Sequence, residues 1–207
     1  MDLPAVYRPA RPVSLAAGTV LHRLHHVDLP GAGFNPCRGG ATRFAPLHRP
    51  DDGACIPTLY AATTFDGAAY ETVFRGPPGP FAAVPRQDLE TRAASRIAPR
   101  VALDLVPLFT PELAAAGLDP AALFRPSASV YGLCRALALT AWRDNPAAHG
   151  LIWTSVRDNA AQAMLLFGDR LGADAFDTLD RRTIATHPDL LDAFVETAAR
   201  GGYRISR

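Results

Sequence analysis

The chain predicts an α+β fold in which a mixed sheet forms the core and helices surround it. Three observations lead there. Strand-like apolar runs fall early, at residues 19–25, 43–44 and 59–62, and again late, at 101–106, 150–155, 163–167 and 176–185. The longest helical periodicity, 129–143, carries Val130, Leu133, Cys134, Leu137 and Ala141 on one stripe. Strands and helices do not alternate as βαβ units, which excludes a doubly wound parallel sheet.

A length of 207 residues suits one domain with a real core. The expected organisation is a single domain over 1–207. It has an irregular segment over 1–17, a motif-bearing region over about 18–170, and a C-terminal strand and helix within 176–200. A formal charge of +1 gives no electrostatic footprint for nucleic acid or a membrane surface. Every basic residue is arginine, for which a coding bias is a better account than any function. Cys37, Cys55 and Cys134 lack C-x-x-C spacing, and their odd number argues against a disulfide framework and for a reducing, cytoplasmic setting. Neither a signal-peptide pattern nor a run of apolar residues long enough to span a bilayer is present.

Along the chain, Pro4, Pro9 and Pro12 disfavour regular structure before Ser14. In 19–25, alternation puts Val20, His22 and Leu24 on one face and Leu21, Arg23 and His25 on the other. Residues 31–40 read as a loop. Its Gly31-Ala32-Gly33 fails as a dinucleotide fingerprint, because Pro36 stands where the third glycine belongs. Asp66 is the expected N-cap of a helix whose apolar face pairs Ala69 with Val73 and Tyr70 with Phe74. The run 76–80, Gly-Pro-Pro-Gly-Pro, ends it. Further helices are expected after Pro111, Pro120 and Pro188. The last turns Leu190, Leu191, Phe194, Val195 and Ala198 inward and stops at Gly201-Gly202.

Candidate chemistry is sparse. His22, His25 and His26, with His48 nearby, lack a fixed ligand set, and an ordinary surface strand explains them better than a metal does. No G-x-S-x-G elbow surrounds Ser155 or any other serine. Arg43, Tyr60 and Glu71 each have a bland reading alone: a surface cation, a half-buried strand aromatic, and an i, i+4 partner of Arg75.

Their joint order changes that balance. Arg23 in Leu-His-Arg-Leu, Arg43 in Gly-Ala-Thr-Arg-Phe, Tyr60 in Leu-Tyr-Ala-Ala, Glu71 in Ala-Ala-Tyr-Glu-Thr and Ser155 ending Gly-Leu-Ile-Trp-Thr-Ser follow one another in the order of the RES-domain toxins. The chain resembles that family, the toxic halves of bacterial Xre-RES toxin–antitoxin pairs, over roughly residues 18–170. It departs from the family where Ala41-Thr42 separates Gly40 from Arg43 and Phe44 stands in place of tryptophan.

The resemblance implies an ADP-ribosyltransferase-like fold of the diphtheria-toxin type. It also implies consumption of NAD as substrate by cleavage at the nicotinamide glycosidic bond, with phosphate or water as acceptor and no metal. Transfer of ADP-ribose to a protein, or a non-catalytic nucleotide-binding or partner-binding module, are the alternatives. The implied partner is an Xre-type helix-turn-helix antitoxin, and a homodimer is the expected assembly. Chemistry allots the roles. Cleavage builds positive charge on the ribose, so Glu71 is expected to hold a ribose hydroxyl and stabilise that charge. Arg23 and Arg43 would grip the pyrophosphate or an incoming phosphate through forked hydrogen bonds. Tyr60 would pack against nicotinamide or ribose, and Ser155 would orient the ribose or acceptor rather than attack. All five residues are expected to line one cleft.

Overall fold

Alternation of apolar side chains between two sheet faces sets the architecture of the protein. The computed structural model describes residues 3–79, 81–125, 127–172 and 174–206. Its main sheet contains β1 (Val13–Leu15), β2 (Leu21–His26), β5 (Thr58–Ala62), β7 (Arg92–Pro99), β8 (Leu103–Pro107), β9 (Gly150–Thr154), β10 (Gln162–Phe167) and β11 (Phe176–Thr183). The order across the sheet is β1-β8-β9-β10-β5-β2-β7-β11. Within this sheet, among the described residues, only the β8–β9 pair is parallel. Two small sheets pair β3 (Leu47–His48) with β4 (Cys55–Ile56), and β6 (Ala83–Pro85) with β12 (Arg204–Ser206).

One face of the main sheet carries Leu24, Ala62, Trp153, Ala163 and Leu165. Buried residues of α1 (Phe65–Thr72), α5 (Tyr131–Asp144) and α6 (Asp189–Arg200) join the same cluster. The other face carries Leu21, Leu59, Ile97, Ile152 and Met164, closed by Phe34 and Phe176 from a loop and an edge strand instead of by helices. Strands β9 and β10 are buried on both faces, which is why they read as continuous apolar runs rather than alternating ones. Between β2 and β5 the pairing is a single position, His22 with Ala62.

Three short helices, α2 (Arg86–Glu90), α3 (Thr110–Ala115) and α4 (Pro120–Leu123), fill connections. The N-terminal segment is largely irregular yet anchored. Tyr7 is buried, its hydroxyl donating to the Pro107 carbonyl and its amide to Asp144, each at 2.8 Å.

Several expectations are corrected. Residues 43 and 44 form no strand. They lie in a turn in which the Thr42 amide donates to the Ala45 carbonyl at 2.7 Å. The cap of α1 is Thr64, whose side chain accepts from the Gly67 amide, and Asp66 instead pairs with Arg200 of α6. Helix α1 ends at Thr72, before the Gly-Pro run, whose Pro80 lies outside the described residues. Strand β1 begins one residue before Ser14. Val195 is turned to solvent, because the buried face of α6 is Leu190, Phe194 and Ala198. Strand β7 was not expected: its Arg-Ala-Ala-Ser-Arg-Ile-Ala-Pro has weak strand propensity and is held extended by neighbours on both edges. Cys37 and Cys55 are joined in a disulfide with Cα atoms 6.0 Å apart, since the Asn35–Thr58 bridge folds their two loops together. Only Cys134 is free, so the cysteine count carries no argument about compartment. Among the described residues no helix is long and apolar enough to cross a membrane.

The double burial of β9 and β10 requires glycine where they begin to pair. A Cβ at Gly150 would stand 2.3 Å from the Leu165 carbonyl oxygen, a backbone atom that cannot yield without breaking the pair. Gly150→Ala is expected to destabilise the protein by about 2 kcal/mol or more, read as a lowered urea midpoint.

Candidate active site

Glu71 lies in the last turn of α1, and that helix is seated by what precedes it. Thr64 caps it, Ala68, Ala69 and Tyr70 press it onto the sheet, and Gly67 lets it come close to the segment after β9. A Cβ on Gly67 would sit 2.7 Å from the Ala161 methyl. Ser155 begins that segment. Its amide donates to the Ala161 carbonyl at 2.9 Å, and the Ala161 amide to the Asp158 carbonyl at 2.8 Å, so the turn before β10 is closed on itself. The Ser155 side chain is buried, and its hydroxyl donates to Glu71 Oε1 at 2.9 Å. Glu71 is half-buried and, among the described residues, makes no ion pair with Arg75.

Tyr60 adjoins this pair. Its hydroxyl accepts from the Phe44 amide at 3.0 Å and shares a 3.0 Å hydrogen bond with Thr42 Oγ1, fixing the turn that carries Arg43. The ring meets Trp153 edge-on, at 6.2 Å between centroids. Burial first, with the Glu71 carboxylate adding to it, pushes the phenol up to about 12, so Tyr60 is a neutral donor at any physiological pH. Arg43 is half-buried and committed: it donates to the carbonyls of Leu123 at 2.8 Å and Arg125 at 3.3 Å, and lies over the rings of Phe124 and Tyr131.

Arg23 is placed apart from these four. Its cross-strand partner is Ser95, and its neighbours along β2 and β7 on that face are Leu21, His25 and Ile97, opposite the helical face that holds Tyr60. It is 4% exposed and donates to the Gly31 carbonyl at 2.8 Å, and burial lowers its guanidinium to about 10. It follows the single β2–β5 pair directly in sequence. The structure therefore brings Glu71 and Ser155 into contact, sets Tyr60 and the Arg43 turn beside them, and puts Arg23 on the other face.

Sequence reasoning missed the residues that hold the pair. The polar run Arg157-Asp158-Asn159 after β9 was visible, but its partners were not. Asp158 is 5% exposed and pairs with Arg200 at 3.3 Å, while Arg200 also pairs with Asp66 at the start of α1. Thr197 donates to Asp66 at 2.5 Å, and its carbonyl accepts from Tyr70 at 3.0 Å. Chemically, the arrangement offers a half-buried carboxylate fixed by a neutral hydroxyl, suited to accepting a hydroxyl and facing a developing positive charge. No histidine contacts Ser155 among the described residues, and the serine hydrogen is given to Glu71, which fits an orienting role.

The fold and site define an α+β protein with a mixed sheet core covered by helices on one face. The family model described as RES domain matches residues 20–187, and the chain belongs to that family. Among solved structures, it is similar to a chain of the M. tuberculosis MbcT–MbcA toxin–antitoxin complex, with a TM-score of 0.59 and 16% identity. That match covers 89% of this chain and 92% of the other. Comparison with curated proteins returned no match.

The Arg23 neighbourhood generates a pH prediction. His25 is buried, with Nδ1 donating to the His26 carbonyl and Nε2 accepting from Ser95 Oγ, each at 2.9 Å. Burial first, then the cations Arg23, Arg181 and Arg92, hold it down to about 4 from 6.5. The unfolded chain binds the proton more readily, so this contribution is complete above pH 6.5 and is lost as pH falls from 6.5 to about 4. Urea unfolding at pH 7.5 and 4.5 should show His25→Gln losing less stability on acidification than the parent, by on the order of 2 kcal/mol.

Proposed function

We propose that the chain is the toxin of a toxin–antitoxin pair and depletes NAD by cleaving the nicotinamide N-glycosidic bond, with phosphate or water accepting the ADP-ribose. The observation that carries this reading is the 2.9 Å hydrogen bond from Ser155 to Glu71, which presents a fixed carboxylate beside Tyr60 in a RES-family fold. Similarity to a toxin–antitoxin complex supports the biological setting.

In the reaction, the bond between ribose C1′ and the pyridinium nitrogen breaks with its electron pair passing to nitrogen. Nicotinamide leaves neutral and the ribose becomes oxocarbenium-like. Glu71 accepts a ribose hydroxyl and opposes the growing positive charge, and Ser155 holds that carboxylate in place at no cost in reorganisation. An anionic oxygen of phosphate then bonds to C1′ directly, or the oxygen of water bonds to C1′ and its proton passes to solvent. Tyr60, a neutral phenol, lines the ribose and nicotinamide side. Arg43 grips the pyrophosphate after exchanging its carbonyl partners. Arg23 does the same for an incoming anion after exchanging the Gly31 carbonyl. An Xre-type helix-turn-helix antitoxin and a homodimer are the proposed partners.

Purified protein incubated with NAD, with and without phosphate, should release nicotinamide, and mass spectrometry of the other product identifies the acceptor. Glu71→Gln is expected to lower kcat about a hundredfold or more, and Ser155→Ala about tenfold. Parental turnover by Glu71→Gln would overturn the assignment. Arg43→Lys should raise KM for NAD while leaving kcat closer to parental, since an ammonium cannot reproduce the fork.

A further inference from the structure

The family match ends at residue 187, yet part of what holds Ser155 and Glu71 comes from beyond it, through Thr197, Arg200 and Tyr203. Arg157, two residues after Ser155, is half-buried and points its guanidinium at the exit of α1. Its Nη2 donates to the carbonyls of Arg75 at 2.5 Å and Gly76 at 2.8 Å. Its Nε donates to the Tyr203 hydroxyl at 2.7 Å, and that hydroxyl donates onward to the Gly76 carbonyl at 2.6 Å. The Tyr203 ring is 6% exposed and packs on Phe74 at 5.1 Å between centroids.

Tyr203 is itself positioned by the C-terminal segment. Its amide donates to the Ala198 carbonyl at 2.8 Å, and the adjoining β12 pairs with β6. Gly201 is needed for this return: a Cβ there would stand 2.6 Å from the Tyr70 ring. At the other end of α1, Arg200 joins Asp66 to Asp158. The segment after Ser155 is thus tied to both ends of the helix that carries Glu71, and residues 197–203 supply one side of each tie.

We infer that Arg157, held by Tyr203, is a positioning residue that sets the Ser155–Glu71 geometry, and that the C-terminal segment past the family-matched region is a working part of the site. The inference rests on the reading of Glu71 and Ser155 as catalytic residues. A planar fork serving two carbonyls and a hydroxyl fixes direction as well as distance, which a single flexible ammonium cannot do. Removing it frees the 155–161 turn relative to α1 while Glu71, Ser155 and the substrate-facing surface remain.

The test uses the full chain with Arg157→Ala, Arg157→Lys and Tyr203→Phe, the last removing one oxygen and no packing. Steady-state NAD cleavage, thermal melting and amide exchange at Ser155 and Ala161 are measured. Arg157→Ala and Tyr203→Phe are expected to lower kcat about tenfold, with KM within about twofold of parental. Amide exchange in the 155–161 turn should rise. Millimolar guanidinium should restore part of kcat to Arg157→Ala and none to Tyr203→Phe, and Arg157→Lys should resemble Arg157→Ala. Parental kcat together with parental exchange in Arg157→Ala and Tyr203→Phe overturns the inference. If Arg157→Ala fails to fold, Tyr203→Phe decides alone. If the parent leaves NAD intact, the proposed reaction fails, and exchange decides the positioning role separately: unchanged protection overturns it and increased exchange upholds it.

Discussion

The hydrogen bond between Ser155 and Glu71 joins residues 84 positions apart, and one strand makes that possible. β10 pairs antiparallel with both β5 and β9, so those two strands run in the same direction and end on the same side of the sheet. Ala62 stands opposite Ala163 and Thr154 opposite Gln162, so the exits of β5 and β9 flank the start of β10. The first exit leads through Thr63 and Thr64 into α1 and Glu71, and the second leads directly to Ser155. Thr63 seals the corner by accepting from the Gln162 amide at 3.0 Å and donating its own amide to the Gln162 carbonyl at 2.9 Å. Sheet order therefore delivers both functional groups to one place, and the glycine at 67 sets how near they come.

Several arginines serve this protein as clamps on backbone carbonyls. Arg23 binds Gly31, Arg43 binds Leu123 and Arg125, and Arg157 binds Arg75 and Gly76. Arg170 binds Asn145 and Ala148, each at 2.7 Å. These bonds are charge-assisted and directional, so they outweigh the exposed ion pairs such as Arg86 with Glu90, which solvent and salt weaken. The guanidinium geometry explains what the fold does with these cations.

The sequence made the two-sided strands legible, because burial on both faces leaves runs such as Gly-Leu-Ile-Trp and Ala-Met-Leu-Leu-Phe. Helix α5 was equally clear from its stripe, with Cys134, Leu137 and Ala141 buried as periodicity required. β7 was illegible because its extension comes from β2 and β11 rather than from its own residues. The same contrast holds at the site. Glu71, Ser155 and Tyr60 could be named through family resemblance, but single positions carry no record of contacts 84 residues away. Arg23 was rightly set on the face away from His22, yet nothing local showed that this face would be closed by the loop at Gly31. The Cys37–Cys55 bond escaped counting for the same reason, since an odd total says only that one thiol remains.

Bringing groups together and keeping them together are separate tasks here. Strand order accomplishes the first, but an edge made of strand exits and a turn has few backbone bonds to hold it, and such regions open most readily. Helix α6 accomplishes the second. Through Thr197 and Arg200 it grips the start of α1, through Arg200 it grips Asp158, and through Tyr203 it reaches Arg157 at the far end. A hydroxyl displaced by an ångström from its carboxylate no longer fixes that carboxylate, so the rigidity of the turn matters as much as the identity of Ser155. The buried Leu190, Phe194 and Ala198 therefore do more than complete a core: they seat an element that contacts both halves of the site.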